Sequence, residues 1–348
     1  MSLQLNVEDF APASNDEKKR PCRHARERQL LEGRPAPPAQ NKIAMFSLVV
    51  IILMQFSPTC CPLSGPTATS SKSRQQHLAP FEYSAAEQKL IDSGEKVFPH
   101  ILGTDRMGRD FAVRVMMGTR VSLSVGLLAS VLVLLIGATY GAVSAFAGGW
   151  VDNIMMRITD ILYTIPDILL IILLAMAIKE PLENLATQPG FGWMQKLGPN
   201  MVSIFIIFAL LYWVGMARIV RSQVLTLKES EYVTAARALG ASGGRIIKKH
   251  LLTNCIGTLI VTTTLQIPSS IFTESYLSFL GLGVAAPMPS LGSLATDAVK
   301  GMNTYPVLLI APALMISLMI LVFNLFGDGL RDAFDPKPEE LKRGRKKS

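Results

Sequence analysis

Four stretches of this chain carry no Asp, Glu, Lys or Arg: Val121 to Val151, Leu197 to Ala217, Leu251 to Thr273, and Gly301 to Gly327. Each reaches the roughly 20 residues that a helix needs to cross a hydrocarbon layer about 30 Å thick. No water reaches a backbone group at that depth. A run of this kind must therefore satisfy its hydrogen bonds internally, which makes it a helix. Two further segments qualify, Ile43 to about Thr59 and Ile161 to Ile178, the second interrupted only by Asp167. Six spans predict an all-α, polytopic membrane protein. The 49% apolar content agrees.

The first segment has a competing reading as a cleaved secretory leader. Its long polar preamble and the lack of a small-x-small site after it favour an uncleaved helix. The expected organisation is then a disordered tail over 1–42, a first span over 43–59 and an external loop over 60–120. A five-helix core follows over 121–330, containing a cytoplasmic loop at 218–254, and a basic tail closes the chain over 331–348.

The net charge of +8 invites a nucleic-acid reading. Lysine and arginine gather instead at the two termini and between Arg218 and Lys249. Six spans put these three regions on one side, and the positive-inside rule makes that side cytoplasmic. Arg106, Arg109, Arg114 and Arg120 sit in the long first loop, where the rule acts weakly. Of the four cysteines, Cys22 and Cys255 are isolated and Cys60 and Cys61 are adjacent, so none has metal-site spacing.

No phosphate loop, zinc-protease motif or nucleophile elbow occurs, and the four histidines are far apart. Catalysis is not expected, nor a cofactor or metal. Asp167 and Glu274 lie within or beside apolar runs, each preceded by a proline, Pro166 and Pro268. A charge at that depth marks a pathway or a buried partner, or else it reaches the headgroups from a helix end. The prolines predict kinks or breaks of the sort an alternating transporter uses. Upstream, Gly103, Thr104, Asp105, Gly108, Arg109 and Asp110 form a turn-rich motif just before a span, suited to organising the outer mouth of the bundle.

Between Glu231 and Asn254 the sequence reads as a short helix, a glycine stop and a second helix. Ser230 is the expected cap, Gly240 the stop, and Gly243 and Gly244 a loose turn. Tyr232, Ala236 and Leu239 share a face at i, i+4 and i+7. Such a helix in a cytoplasmic loop is a docking element.

Together these residues resemble the inner-membrane permeases of bacterial ABC importers, in the dipeptide, oligopeptide and nickel branch and of the "C" type. Ala235, Ala236 and Gly240 match that family's coupling motif, and the run Ala236 to Ser242 followed by Arg245, Ile246 and Ile247 matches its local form. The segments Gly103–Asp110, Gly148–Asp152, Glu274–Gly283, Pro287–Ser290 and Phe323–Pro336 also fit. Thr234, Thr253 and Leu291 depart from the pattern, standing where a glutamate, a proline and a tryptophan are usual.

The resemblance implies a non-catalytic subunit in the bacterial cytoplasmic membrane, with both termini cytoplasmic. Its partners would be a second, paralogous permease, two ATP-binding subunits, a periplasmic or lipid-anchored binding protein and membrane lipid. Glu231, Tyr232, Ala235, Ala236, Arg237, Leu239, Gly240 and Ala241 would engage the ATPase. Di- and oligopeptides are the implied cargo, with nickel or another small solute as the alternative. An ion-coupled carrier is the weaker reading, since Asp167 and Glu274 are too few for a carboxylate relay.

Overall fold

The computed structural model describes residues 42–60, 78–94, 97–284 and 288–334. The expected N-terminal tail up to 41, the first part of the external loop, Pro287 and most of the basic C-terminal tail lie outside these described residues. Helix α1 covers Lys42–Cys60, α2 Ala85–Asp92, α3 Phe111–Ala147, α4 Gly149–Thr164, α5 Asp167–Ala186 and α6 Gly192–Leu197. Helix α7 runs over Pro199–Lys228 and contains a π-helical turn at Phe208–Tyr212. The loop expected in the cytoplasm folds as α8, Glu231–Ala238, and α9, Gly243–Ile246, which continues through a second π-turn at Ile247–Leu251. Helices α10 (Ile256–Phe279), α11 (Leu291–Val299) and α12 (Val307–Phe334) complete the chain.

Helices α3, α7, α10 and α12 are each long and apolar enough to cross a membrane, and α4 with α5 makes a fifth span if the bent pair counts as one. Helix α1 is apolar but short by the same measure. One expected span is corrected. The run from Ile161 to Ile178 is not a single helix: α4 ends at Thr164, α5 starts at Asp167, and the two meet at 89°. Pro166 is the cause. Its ring disfavours helical geometry in the residue before it, and Ile165 is extended at φ −80° and ψ 134°. The second helix runs on past Ile178 to Ala186, and the two make a span only when taken together across the break.

Pro268 behaves differently. A kink or break was expected there; no break occurs, and α10 runs as one helix from Ile256 to Phe279. Its neighbours Ile267 and Ile271 are buried in the cluster built from α3, α10 and α12, with Phe111, Leu123, Met319 and Phe323. Packing on both sides holds the segment helical.

The centre of the bundle is α3, 37 residues long. Lipid chains are as apolar as leucine, so membrane helices associate by close packing rather than by water exclusion, and small residues permit the close approach. Gly137 faces Met216 and the Trp213 carbonyl of α7, while Gly141 lies directly on the Ala217 backbone. Gly126 faces Ile271 of α10, and Gly118 faces Leu291 and Leu294 of α11. The Gly137–Gly141 pair is thus the seam between α3 and α7.

Candidate functional site

The hairpin at Glu231 to Asn254 is fixed to the bundle from beneath. Val233, Ile246 and Leu251 are buried in one cluster with Ala142 and Ala145 of α3 and Val220 and Val224 of α7. Val233 is the only buried residue of α8. Tyr232, Ala235, Arg237 and Leu239 are left exposed, as is Glu231, while Ala236 and Ala241 are half-buried. The expected face of Tyr232, Ala236 and Leu239 is therefore divided, with Ala236 turned toward the bundle and Leu239 88% exposed.

Helix α8 ends in a Schellman motif. The Ala241 N–H donates to the Ala236 carbonyl at 3.0 Å and the Gly240 N–H to the Arg237 carbonyl at 2.9 Å. Gly240 adopts φ +78° to allow it, the left-handed geometry for which a glycine stop is suited. Two local expectations are corrected. The Ser230 side chain makes no cap bond; its carbonyl instead receives the Val233 and Thr234 N–H groups at 3.1 and 3.2 Å. Gly243 and Gly244 are not a loose turn but the first residues of α9. Gly243 lies against the Phe146 ring, and the Arg237 guanidinium stacks on the same ring at 5.1 Å. Arg237 is thereby tied to its own chain. Tyr232 accepts from the Asn254 amide at 3.0 Å, which closes the hairpin.

At the break between α4 and α5 lies a cleft of about 400 Å³. Tyr163, Pro166, Asp167 and Leu170 line one side, and Tyr212 and Gly215 of α7 the other. The π-turn ends at Tyr212, so two irregularities of the spanning helices meet there. Such bulges recur at functional positions. Of the four residues expected at a pathway, Pro166 and Asp167 come together here, while Pro268 and Glu274 do not.

Glu274 is instead fully buried. It accepts from Ser122 of α3 and Ser278 of α10, both at 2.7 Å, and from Ser275 at 3.3 Å. The Ser122 hydroxyl also accepts the Leu291 N–H at the start of α11. This carboxylate joins three helices. Its side chain is enclosed by protein.

The segment before α3 is a tight knot. Asp105 accepts the Met107 and Arg109 N–H groups at 2.8 and 2.9 Å, then the Arg109 and Arg114 guanidinium groups at 2.8 and 2.7 Å. Gly103 and Gly108 take φ +75° and +71°. A side chain at Gly103 would collide with the Leu78 carbonyl. Thr104 accepts the Leu78 N–H at 2.9 Å. Asp110 caps α3 through the Val113 N–H and holds His100 Nδ1 at 2.7 Å, while His100 Nε2 meets Glu87 at 3.0 Å. All three members are buried. The Asp110 bond raises the His100 pKa, burial opposes it, and Glu87 adds to the rise. Burial pushes Glu87 up, but bonds from the Ser84 backbone and hydroxyl, with His100, outweigh it and leave Glu87 lowered.

Sequence reasoning found Asp105 and Asp110 but missed Glu87 and His100 as their extension. It also missed the pairing of Asp152 with Arg221, at 2.7 and 2.6 Å, and of Asp160 with Arg218, at 2.8 Å. These bonds tie α4 to α7. No short-range signal marks them, since the partners lie 58 and 69 residues apart.

A family model described as "Binding-protein-dependent transport system inner membrane component" matches residues 134–340. The oligopeptide transport system permease protein OppC of Bacillus subtilis is 40% identical over 297 residues, covering 85% of this chain and 86% of its own length. The dipeptide transport system permease protein DppC of the same species is 40% identical over 299 residues, 86% and 83% of the two chains. The glutathione transport system permease protein GsiD of Pectobacterium atrosepticum is 38% identical over 238 residues, 68% and 73%.

Proposed function

The chain belongs to the family of binding-protein-dependent transport system inner membrane components, and on that premise we propose that it forms half of the pathway of a peptide importer, driven through α8. As a permease of an ABC importer it is a non-catalytic, multi-pass subunit. It works with a partner permease, ATPases that hydrolyse the nucleotide, and a substrate-binding protein. Di- or oligopeptides as cargo rest on the relatives named as oligopeptide and dipeptide transport permeases.

The observation that carries the coupling role is the split of α8 into one buried anchor and an exposed, small-residue face. A lever needs both. Val233 makes the helix move with α3 and α7, while Ala235 lets a partner backbone approach and Leu239 offers apolar contact. Closure of the nucleotide-bound ATPases would push on that face, and the seam at Gly137 and Gly141 would carry the motion into the bundle. In this reading the six spans include α1, residues 60–120 lie outside, and both tails are cytoplasmic. The two ATP-binding subunits and the paralogous permease complete the assembly, and a periplasmic or lipid-anchored protein delivers the cargo.

The test is Leu239→Asp in the full importer. Recovery of the ATPase subunits on purification should fall, together with uptake, while the variant still inserts into the membrane. Undiminished recovery with undiminished uptake would refute the coupling role.

A further inference from the structure

We propose that Asp167 recognises the ammonium group of a peptide as it passes the cleft between α4, α5 and α7. This rests on the peptide-importer reading and adds to it a specificity-determining residue. Among the described residues Asp167 is the only charged one lining the cleft; its surroundings are apolar or hydroxyl-bearing. The cleft abuts Tyr212, near the middle of the 30-residue α7, so the carboxylate sits at membrane depth. A charge there is costly unless it is paired or serves transit.

No cation among the described residues pairs with it. Its one hydrogen bond among the described residues is local, from the Ile168 N–H to Oδ1 at 2.9 Å. Arg218 is committed to Asp160 at 2.8 Å and to the Tyr163 ring at 4.3 Å. The Tyr212 hydroxyl is likewise engaged, with Thr273 at 2.6 Å, so its ring is what it offers the cleft. A carboxylate without a cationic partner beside the Tyr212 ring is the chemistry that selects an organic ammonium ion, by charge and by the ring face. The space suits one end of a peptide, being at the lower end of the usual range for ligand clefts, roughly 300–1,000 Å³. Gly215 keeps it open, since a Cβ at that position would meet nothing within 4 Å.

The experiment uses the complete importer in proteoliposomes, with trialanine and N-acetyl-trialanine as probes, each at a concentration that loads the binding protein equally. The expected result is that Asp167→Asn slows trialanine uptake at least about tenfold, as loss of a charged hydrogen bond implies. Uptake of the acetylated peptide should stay at the wild-type rate, and Asp167→Glu should restore most of the trialanine uptake. Asp167→Asn carrying trialanine normally would overturn the proposal, and so would equal loss of both peptides. Failure of the variant to co-purify with the second permease would make Asp167 an assembly contact instead and would also overturn it. A wild-type complex that takes up neither peptide would instead sink the peptide-importer reading itself.

Discussion

Arg221 of α7 grips Asp152 of α4 with two parallel bonds, 2.7 Å from Nε and 2.6 Å from Nη2, and Ser144 of α3 donates to the same carboxylate. The planar fork of arginine suits this geometry in a way the single ammonium of lysine does not. With Asp152 only 10% exposed, removing the cation leaves a largely buried charge unpaired. Arg221→Ala should destabilise the purified subunit by about 2–4 kcal/mol, a range lowered from that for fully buried pairs because Arg221 itself is partly exposed. Arg221→Lys should lose a lesser share. Thermal unfolding in detergent measures both, and a melting temperature unchanged in Arg221→Ala would show that the pair does not hold α4.

The Glu87–His100–Asp110 relay predicts an acid-favoured cap over the start of α3. His100 has a pKa raised above its ordinary 6.5, so its contribution is complete below that value and is lost as pH rises through the folded pKa. Glu87 is lowered from its ordinary 4.5, so its contribution is complete above 4.5 and is lost as pH falls through its folded pKa. Both are in full force between 4.5 and 6.5. Hydrogen-exchange protection factors over residues 97–110, that is rates divided into the intrinsic rate at each pH, should be highest in that window and fall toward pH 8. In His100→Gln the fall on the alkaline side should vanish; an unaltered profile would place the titration elsewhere.

Much of this architecture was legible because membrane insertion leaves its mark on single residues. Charge-free runs located α3, α7, α10 and α12, since one unpaired charge in lipid is costly enough to be excluded. Gly240 announced its stop because few other residues tolerate φ +78°. The cleft was half legible: Pro166 and Asp167 were visible, but the facing Tyr212 and Gly215 depend on how α7 packs. The two prolines show the limit. Pro166 breaks its span and Pro268 does not, and the difference lies in the burial of Ile267 and Ile271, which no local window contains. Glu274 was similarly opaque, because its serine partners come from α3 as well as from its own helix.

The glycines of α3 and α7 should differ sharply in tolerance. A methyl group at Gly141 would fall on the Ala217 backbone, which has no flexible end to yield. The helices must then separate along the seam against which the Glu231–Asn254 hairpin packs. Gly141→Ala should cost about 1–3 kcal/mol of stability, the scale of overpacking in a tight core. Gly215→Ala, with nothing within 4 Å, should cost nothing and gain a few tenths from helix propensity. Comparing thermal stability of the two variants checks this, and equal effects would mean that the α3–α7 seam is looser than the structure has it.

Glu274 is the residue for which a pathway role and a structural role predict opposite results. Its carboxylate gathers three serine hydroxyls, and the hydroxyls of Ser122 and Ser278 accept the Leu291 and Val284 N–H groups in turn. Two of the three helices it joins span the membrane, and the third, α11, packs on Gly118 of α3. A buried polar cluster of this kind is costly to satisfy only in part, because each orphaned group costs about 1–3 kcal/mol. Glu274→Leu should therefore lower the melting temperature strongly and reduce the yield of folded subunit, while Glu274→Gln, which keeps one acceptor and the volume, should retain most of both. Transport per folded complex should stay near the wild-type level in Glu274→Gln. If that variant folds at full yield and melts normally yet fails to transport, the carboxylate belongs to the pathway and the structural assignment is wrong.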